Sequence, residues 1–286
     1  KVRTSLPSGA VLKYSVAKTS AEMNRTPVPW YYFSMLEIQR LSKSFGPETV
    51  LDDIHLTVPA GSVYALIGPN GSGKTTLTKI VAGLLQPTAG AVTIGGSNIA
   101  TNPVEAKQHI GYIPDNPEAW GKMTGREFLH FVGALYGMNP QSRQSRIEEL
   151  LPLFQLESIA DRYFEHYSRG NRQKFSIIAA WLHEPKLLLI DEPIVGLDPE
   201  SVSKFEGMLQ EFAADGGSVL ITTHTLLVAE HIADTVGLLA HGSLVASDTI
   251  PHLRTQAGLA EDAPLAAVYH QFVGQTLSGS QSHDEL

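Results

Sequence analysis

Cysteine is absent from this 286-residue chain. Disulfides, thiolate zinc sites and a cysteine nucleophile are therefore excluded, and a reducing cytoplasm is consistent with the lack. Basic residues are few: 21 Lys and Arg stand against 29 Asp and Glu, a net charge of −8. Binding nucleic acid calls for clustered cations to replace phosphate counterions, so no nucleic-acid partner is expected. Long apolar runs are also missing, since nothing approaches the roughly 18 residues that would span a bilayer. The remaining composition is that of a globular protein. With 43% apolar residues, the chain can build a sizeable core in one or two domains.

What the chain does have is glycine at telling positions. Gly68-Pro69-Asn70-Gly71-Ser72-Gly73-Lys74-Thr75-Thr76 fits the pattern G-x-x-x-x-G-K-[ST]. Its glycines let the backbone curl closely, so that successive N–H groups point into one anion-binding concavity. Lys74 adds a mobile positive charge for β- and γ-phosphates, and the Thr75 hydroxyl can ligate Mg²⁺. A plain glycine-rich turn would carry some of the same residues, so the flanks decide. Residues 63–67, Val-Tyr-Ala-Leu-Ile, read as a buried strand. After the loop, Leu77, Ile80, Val81, Leu84 and Leu85 recur at helical spacing until Pro87 stops the helix. Strand, loop and helix in that order predict a nucleoside triphosphate site.

The rest of the chain falls into sections. Residues 1–34 are basic and acid-poor, with no convincing period, and read as an N-terminal extension, disordered or a leader. Residues 35–41 and 50–58 alternate like strands, and 90–94 with the Gly95-Gly96 turn suggest another. Residues 124–165 read as mostly helical. Residues 187–190 form a short apolar run ending in acids, which suits a buried parallel strand. Further strands are expected at 218–222, 235–240 and 243–246. Residues 248–286 read as a loose tail with one helix around 265–273. Strands alternating with helices predict an α/β core with a mainly parallel sheet.

Several side chains outside the loop suit the same chemistry. Asp191 and Glu192 end the 187–190 strand, at the carboxyl edge where a P-loop protein holds its phosphates. Asp191 suits a Mg²⁺ contact and Glu192 suits polarising the attacking water. His224 ends another strand and could hydrogen-bond the γ-phosphate. Asp198, followed by Pro199, reads as a helix N-cap. Ser168 is a plausible N-cap too, yet Arg169, Arg172 and Lys174 crowd that helix start, where the macrodipole already favours anions. A bound phosphate would remove the conflict.

Taken in this order, these residues resemble the ATP-binding subunit of an ABC transporter across about residues 35–245. The resemblance implies an α/β fold: a P-loop NTPase core with a mainly parallel sheet, an antiparallel β subdomain and an inserted α-helical subdomain. It implies an ATPase domain over 35–247, with the core at 35–115 and 181–247 and the insertion at about 116–180. Phe45 corresponds to the aromatic that stacks on adenine. Residues 68–75 correspond to Walker A, and Ser168, Arg169, Gly170 and Asn171 stand at the signature. Asp191 and Glu192 correspond to Walker B with the catalytic glutamate, Asp198 to the D-loop, and His224 to the switch histidine. Lys74, Glu192 and His224 are then the catalytic set, with Thr75, Asp191 and Asp115 toward the metal.

Two departures stand out. Asp115 occupies the position where the family usually has Gln, and a carboxylate there resembles the branch that pairs with ABC-2-type export permeases. The signature reads Ser-Arg-Gly-Asn, placing the Arg169 charge where a partner's γ-phosphate would lie. The implied cofactors are ATP and Mg²⁺. The implied partners are an integral-membrane permease on another chain and a second ATP-binding subunit, identical or not. In this scheme the basic helix start lacks its anion until that second subunit supplies one. The implied location is cytoplasmic, peripheral on the inner face of the cell membrane through the permease, whose docking groove would use Trp120 and Phe128. Competing readings are a soluble ABC protein acting on ribosomes or DNA, and a weakly active regulatory module. One P-loop, no sustained heptads and the acidic balance argue against the former.

Overall fold

The computed structural model describes residues 34–117, 121–192 and 196–280. The extension expected over 1–34, apart from Ser34, lies outside the described residues, and so does Trp120.

Two long antiparallel strands, β1 (Ser34–Phe45) and β2 (Glu48–Pro59), open the fold. Next come β3 (Val63–Ile67), α1 (Lys74–Val81), β4 (Ala89–Ile94), β5 (Ser97–Asn98), α2 (Pro103–Gln108) and β6 (Ile110–Ile113). Three helices follow: α3 (Gly125–Leu135), α4 (Pro140–Leu150) and α5 (Arg169–Trp181). The remainder is β7 (Leu187–Asp191), α6 (Pro199–Ala214), β8 (Ser218–Thr223), α7 (Leu226–Ile232), β9 (Thr235–Ala240), β10 (Ser243–Asp248), α8 (Ile250–Gln256) and α9 (Leu265–Ser280).

These strands form two sheets. One is antiparallel, in the order β2-β1-β4-β5, and the other runs β10-β9-β3-β8-β7-β6. In the larger sheet β9, β3, β8, β7 and β6 are all parallel, and only β10 runs against its neighbour. Burial explains the sequence of these strands. Val63, Ala65 and Ile67 of β3 enter one core, while Tyr64 and Leu66 enter another on the opposite face. Both faces are covered, so the strands read as unbroken apolar runs instead of alternating. Helices α3 to α7 contribute to the first core, and the antiparallel sheet with α1 and α2 closes the second.

Four local details differ from the sequence reading. The helix after the glycine loop stops at Val81, well before Pro87. Gly83 takes φ +65, and its N–H bonds back to the Ile80 carbonyl, so a glycine stop ends the helix first. Residues 151–166 are mostly turns and short 3-10 segments, because Pro152 removes a helical donor and Gln155 sits at φ +57. Strand β6 carries only four residues and a glycine, too weak a pattern to read. A Cβ on Gly111 would collide with the Ala180 carbonyl, so that glycine permits β6 to lie close against α5. Finally, the region after 248 is not a loose tail. Ile250, Leu253, Leu265 and Val268 are buried in the first core, anchoring two helices.

Candidate functional site

Parallel pairing fixes where the chemistry can lie. Ile67 pairs with Thr223, Thr222 with Asp191, and Ile190 with Ile113. The carboxyl ends of β3, β8, β7 and β6 therefore share one edge, where open α/β sheets bind ligands. Each of those strands releases a functional segment there: the glycine loop, His224, Asp191 with Glu192, and Asp115. Among the described residues, the loop, His224, Glu192 and Asp115 line one cavity of about 580 Å³ together with Glu48, Val50 and Arg169, while Asp191 is buried and accepts from Thr75 of that lining. That volume is in the range of small-molecule sites.

The glycine loop is built for backbone approach. Gly73 sits at φ +107 directly before α1, and a Cβ there would come within 2.6 Å of Leu51 and 2.9 Å of the Val50 carbonyl oxygen. Only glycine satisfies both demands. Buried Lys74 folds along the loop, donating to the carbonyls of Gly68 (2.8 Å) and Pro69 (3.1 Å). Burial lowers the pKa of its ammonium, and the Glu192 and Asp191 carboxylates counter that fall. The Ser72 hydroxyl is buried with no hydrogen-bond partner, a polar group left for an incoming oxygen.

The metal-facing pair lies beside it. Thr75 Oγ1 donates to Asp191 Oδ1 at 3.4 Å, and Thr222 Oγ1 donates to the same oxygen at 2.6 Å. Burial pushes the Asp191 carboxyl above its ordinary value. The Thr222 and Thr75 hydroxyls pull it back, while Glu192 and Asp115 add to the rise. Thr222 was not singled out from sequence, although a polar pair inside a buried strand is a readable signal. Among the described residues no group of three or more His, Asp or Glu is placed to hold a metal. Mg²⁺ fits the site nonetheless, because it typically takes one or two protein oxygens and completes its shell with phosphate and water. Thr75 and Asp191 are the residues that would hold it.

Glu192 occupies an unusual backbone position, φ +52, with its N–H donating to the Thr222 carbonyl at 3.0 Å. Such a conformation costs a non-glycine residue about 1–3 kcal/mol and persists where its surroundings impose it. The result aims one carboxylate oxygen at His224 Nδ1, which it contacts, while the other lies 3.9 Å from Lys74 Nζ.

The remaining residues divide. Arg169 and Asp115 are joined by an ion pair, Nη2 to Oδ1 at 3.0 Å. Ser168 caps α5 by accepting from the Asn171 N–H at 3.2 Å, and Gly170 packs against the Gly196 backbone. Asp198 caps α6 and accepts from Lys174 Nζ at 2.8 Å. It lies away from the cavity lining. Phe45, exposed at the end of β1, carries Lys43 Nζ 4.7 Å over its ring and is not part of that lining either. The start of α5 is thus not without anions. Asp115 and Asp198 already face Arg169 and Lys174, correcting the expectation that this helix waits for a second chain to supply one.

The chain resembles known proteins across this region. The family described as "ABC transporter" matches residues 51–195. The chain is 33% identical over 236 residues to the ABC-type transporter ATP-binding protein EcsA of Bacillus subtilis, covering 82% of this chain and 95% of that one. It is 36% identical over 220 residues to the bacitracin transport ATP-binding protein BcrA of Enterococcus faecalis, covering 77% and 70%. A solved structure described as the ATP-binding subunit of an ABC transporter superposes with a TM-score of 0.80 at 34% identity, covering 84% of this chain and 100% of that one.

Proposed function

The chain belongs to the ABC transporter ATP-binding family, and on that footing we propose that it hydrolyses ATP as a dimer and so drives a separate membrane permease. One observation carries the reading: Lys74, Glu192 and His224 converge on a single cavity beside the Thr75–Asp191 pair. ATP supplies the phosphates for the glycine loop. When bound, Mg²⁺ neutralises charge that develops on their oxygens. A water oxygen bonds to the γ-phosphorus, the bond to the β–γ bridging oxygen breaks, and Glu192 takes the proton of that water. His224, against the Glu192 carboxylate, holds the base in line and can reach toward the γ-phosphate.

The second half of the site is the signature segment 168–171 of another ATP-binding subunit, identical or not. Closure of the two subunits over ATP is the mechanical output. Among the described residues no helix is long and apolar enough to cross a membrane. The permease is therefore proposed to dock on the apolar groove of about 290 Å³ lined by Tyr112, Pro114, Pro117, Phe128, Val132 and Leu135. On this reading the chain sits at the inner face of the membrane, against the permease. Export is the favoured direction, on the grounds of Asp115 and of a relative named for bacitracin transport.

The test is Glu192→Gln. It should retain ATP binding and lower turnover by about a hundredfold or more, as expected for loss of a positioned base. Undiminished ATPase in this variant overturns the assignment of Glu192.

A further inference from the structure

The ion pair between Arg169 and Asp115 joins two parts of the fold. Asp115 follows β6 in the parallel sheet, and Arg169 opens α5. The side chains are each about half exposed, at 51% and 49%, and both line the cavity that holds Lys74, Thr75 and Glu192. One helical turn further on, fully buried Gln173 donates to the Pro114 carbonyl at 3.4 Å. Two residues of α5, four apart on one face, therefore grip consecutive residues after β6.

Charge balance gives this grip a consequence. Three carboxylates, Glu48, Asp115 and Glu192, line one cavity, and a fourth, buried Asp191, accepts from Thr75 of that lining. Lys74 and His224 lie against Glu192, and Arg169 is the guanidinium on Asp115. We infer that Arg169 is a positioning residue that holds the Asp115 carboxylate away from the metal position, so that Mg²⁺ and Arg169 compete for it. The inference rests on the reading of this cavity as a Mg²⁺–ATP site. Two cations brought to one carboxylate repel each other, so each weakens the other's hold on Asp115. Metal engagement therefore releases the Arg169 guanidinium, and an anion that draws Arg169 away releases Asp115 to the metal. By linkage the two effects are equal in size. Arg169 would thereby report the state of its own site to whatever phosphate a second subunit brings.

The experiment measures binding of a non-hydrolysable ATP analogue as a function of Mg²⁺, on the full chain at concentrations where it runs as a monomer. Arg169→Gln should lower the Mg²⁺ midpoint by about two- to fivefold, the scale of one partly exposed ion pair. Arg169→Lys should stay near wild type, because a cation is kept. Asp115→Asn removes the contested carboxylate, so its midpoint should lie at or above wild type, and adding Arg169→Gln in that background should produce no further shift. A shift that persists without Asp115, or an Arg169→Gln midpoint equal to wild type, overturns the inference. If wild type itself binds no nucleotide at any Mg²⁺ concentration, the parent reading fails instead. Both side chains are half exposed, and matching thermal melts would confirm that each variant folds.

Discussion

Two aspartates show how local surroundings set the sign of a charge effect. Asp191 is buried, which pushes its carboxyl up, and two threonine hydroxyls only partly offset that. Its folded-state affinity for a proton exceeds the unfolded one, so its contribution is best at low pH and is lost as pH rises through the raised value. Asp198 is the opposite case. The Lys174 ammonium, then the Ser201 N–H and hydroxyl, hold its carboxyl far below the ordinary range. Its stabilisation is present above the unfolded value of roughly 4 and is lost as pH falls through and below it. Replacing Asp198 with Ala removes the α6 cap and should cost about 1 kcal/mol at neutral pH. Asp198→Asn keeps an acceptor for the Ser201 N–H but loses the charge that faces Lys174, so it should recover only part of that. Denaturation midpoints across pH check the sign: the gap between wild type and Asp198→Ala should narrow below about pH 4. A gap that widens on acidification would show that the carboxylate charge is not what stabilises the cap.

At the scale of elements, the legible parts of the fold were those with strong local signals. The strand at 63–67, the glycine loop and the caps at Ser168 and Asp198 each depend on a few adjacent residues, and each appears where the pattern places it. The convergence of Glu192, His224 and Lys74 was legible from the strand ends that carry them, given a parallel sheet, and the resemblance added the role of each. Strand β6 was not legible, since four residues with a central glycine carry no period. The Asp115–Arg169 pair was not legible either: the residues are distant in sequence, and only packing of α5 on β6 brings them together. The C-terminal helices were legible in part. The helix expected around 265–273 appears as α9, but α8 was missed, because Leu253 looks like an isolated apolar residue in a polar stretch although it is fully buried. Leu253→Ala should therefore destabilise the whole domain by about 2–5 kcal/mol, the usual cost of a core Leu truncation. Equilibrium denaturation would reveal it, whereas a value near zero would mean that α8 docks without contributing to the core.

For the whole molecule, α5 is the element that connects the proposed site to the proposed docking surface. Its first residue, Arg169, reaches the nucleotide cavity, and Arg172, Ser176, Ala179 and Ala180 along its flank help to line the apolar groove. A helix of 13 residues spans about 20 Å, so a small rotation at one end displaces the other as a rigid body. Gln173 ties the same helix to Pro114, a residue that itself lines the groove. On the proposed reading, α5 would join events at the phosphates to events at the groove without any contact between ligand and permease. The absence of native cysteine makes this testable with a unique thiol. Leu135, at the groove edge, is 69% exposed, so Leu135→Cys should fold normally. In the assembled complex it should crosslink to the permease, and the yield should change when ATP is added to the Glu192→Gln background. A thiol placed at Gln271 on α9 should give little product. Crosslinking through α9 alone, with none from position 135, would move the docking surface to the C-terminal helices and remove α5 from the coupling path.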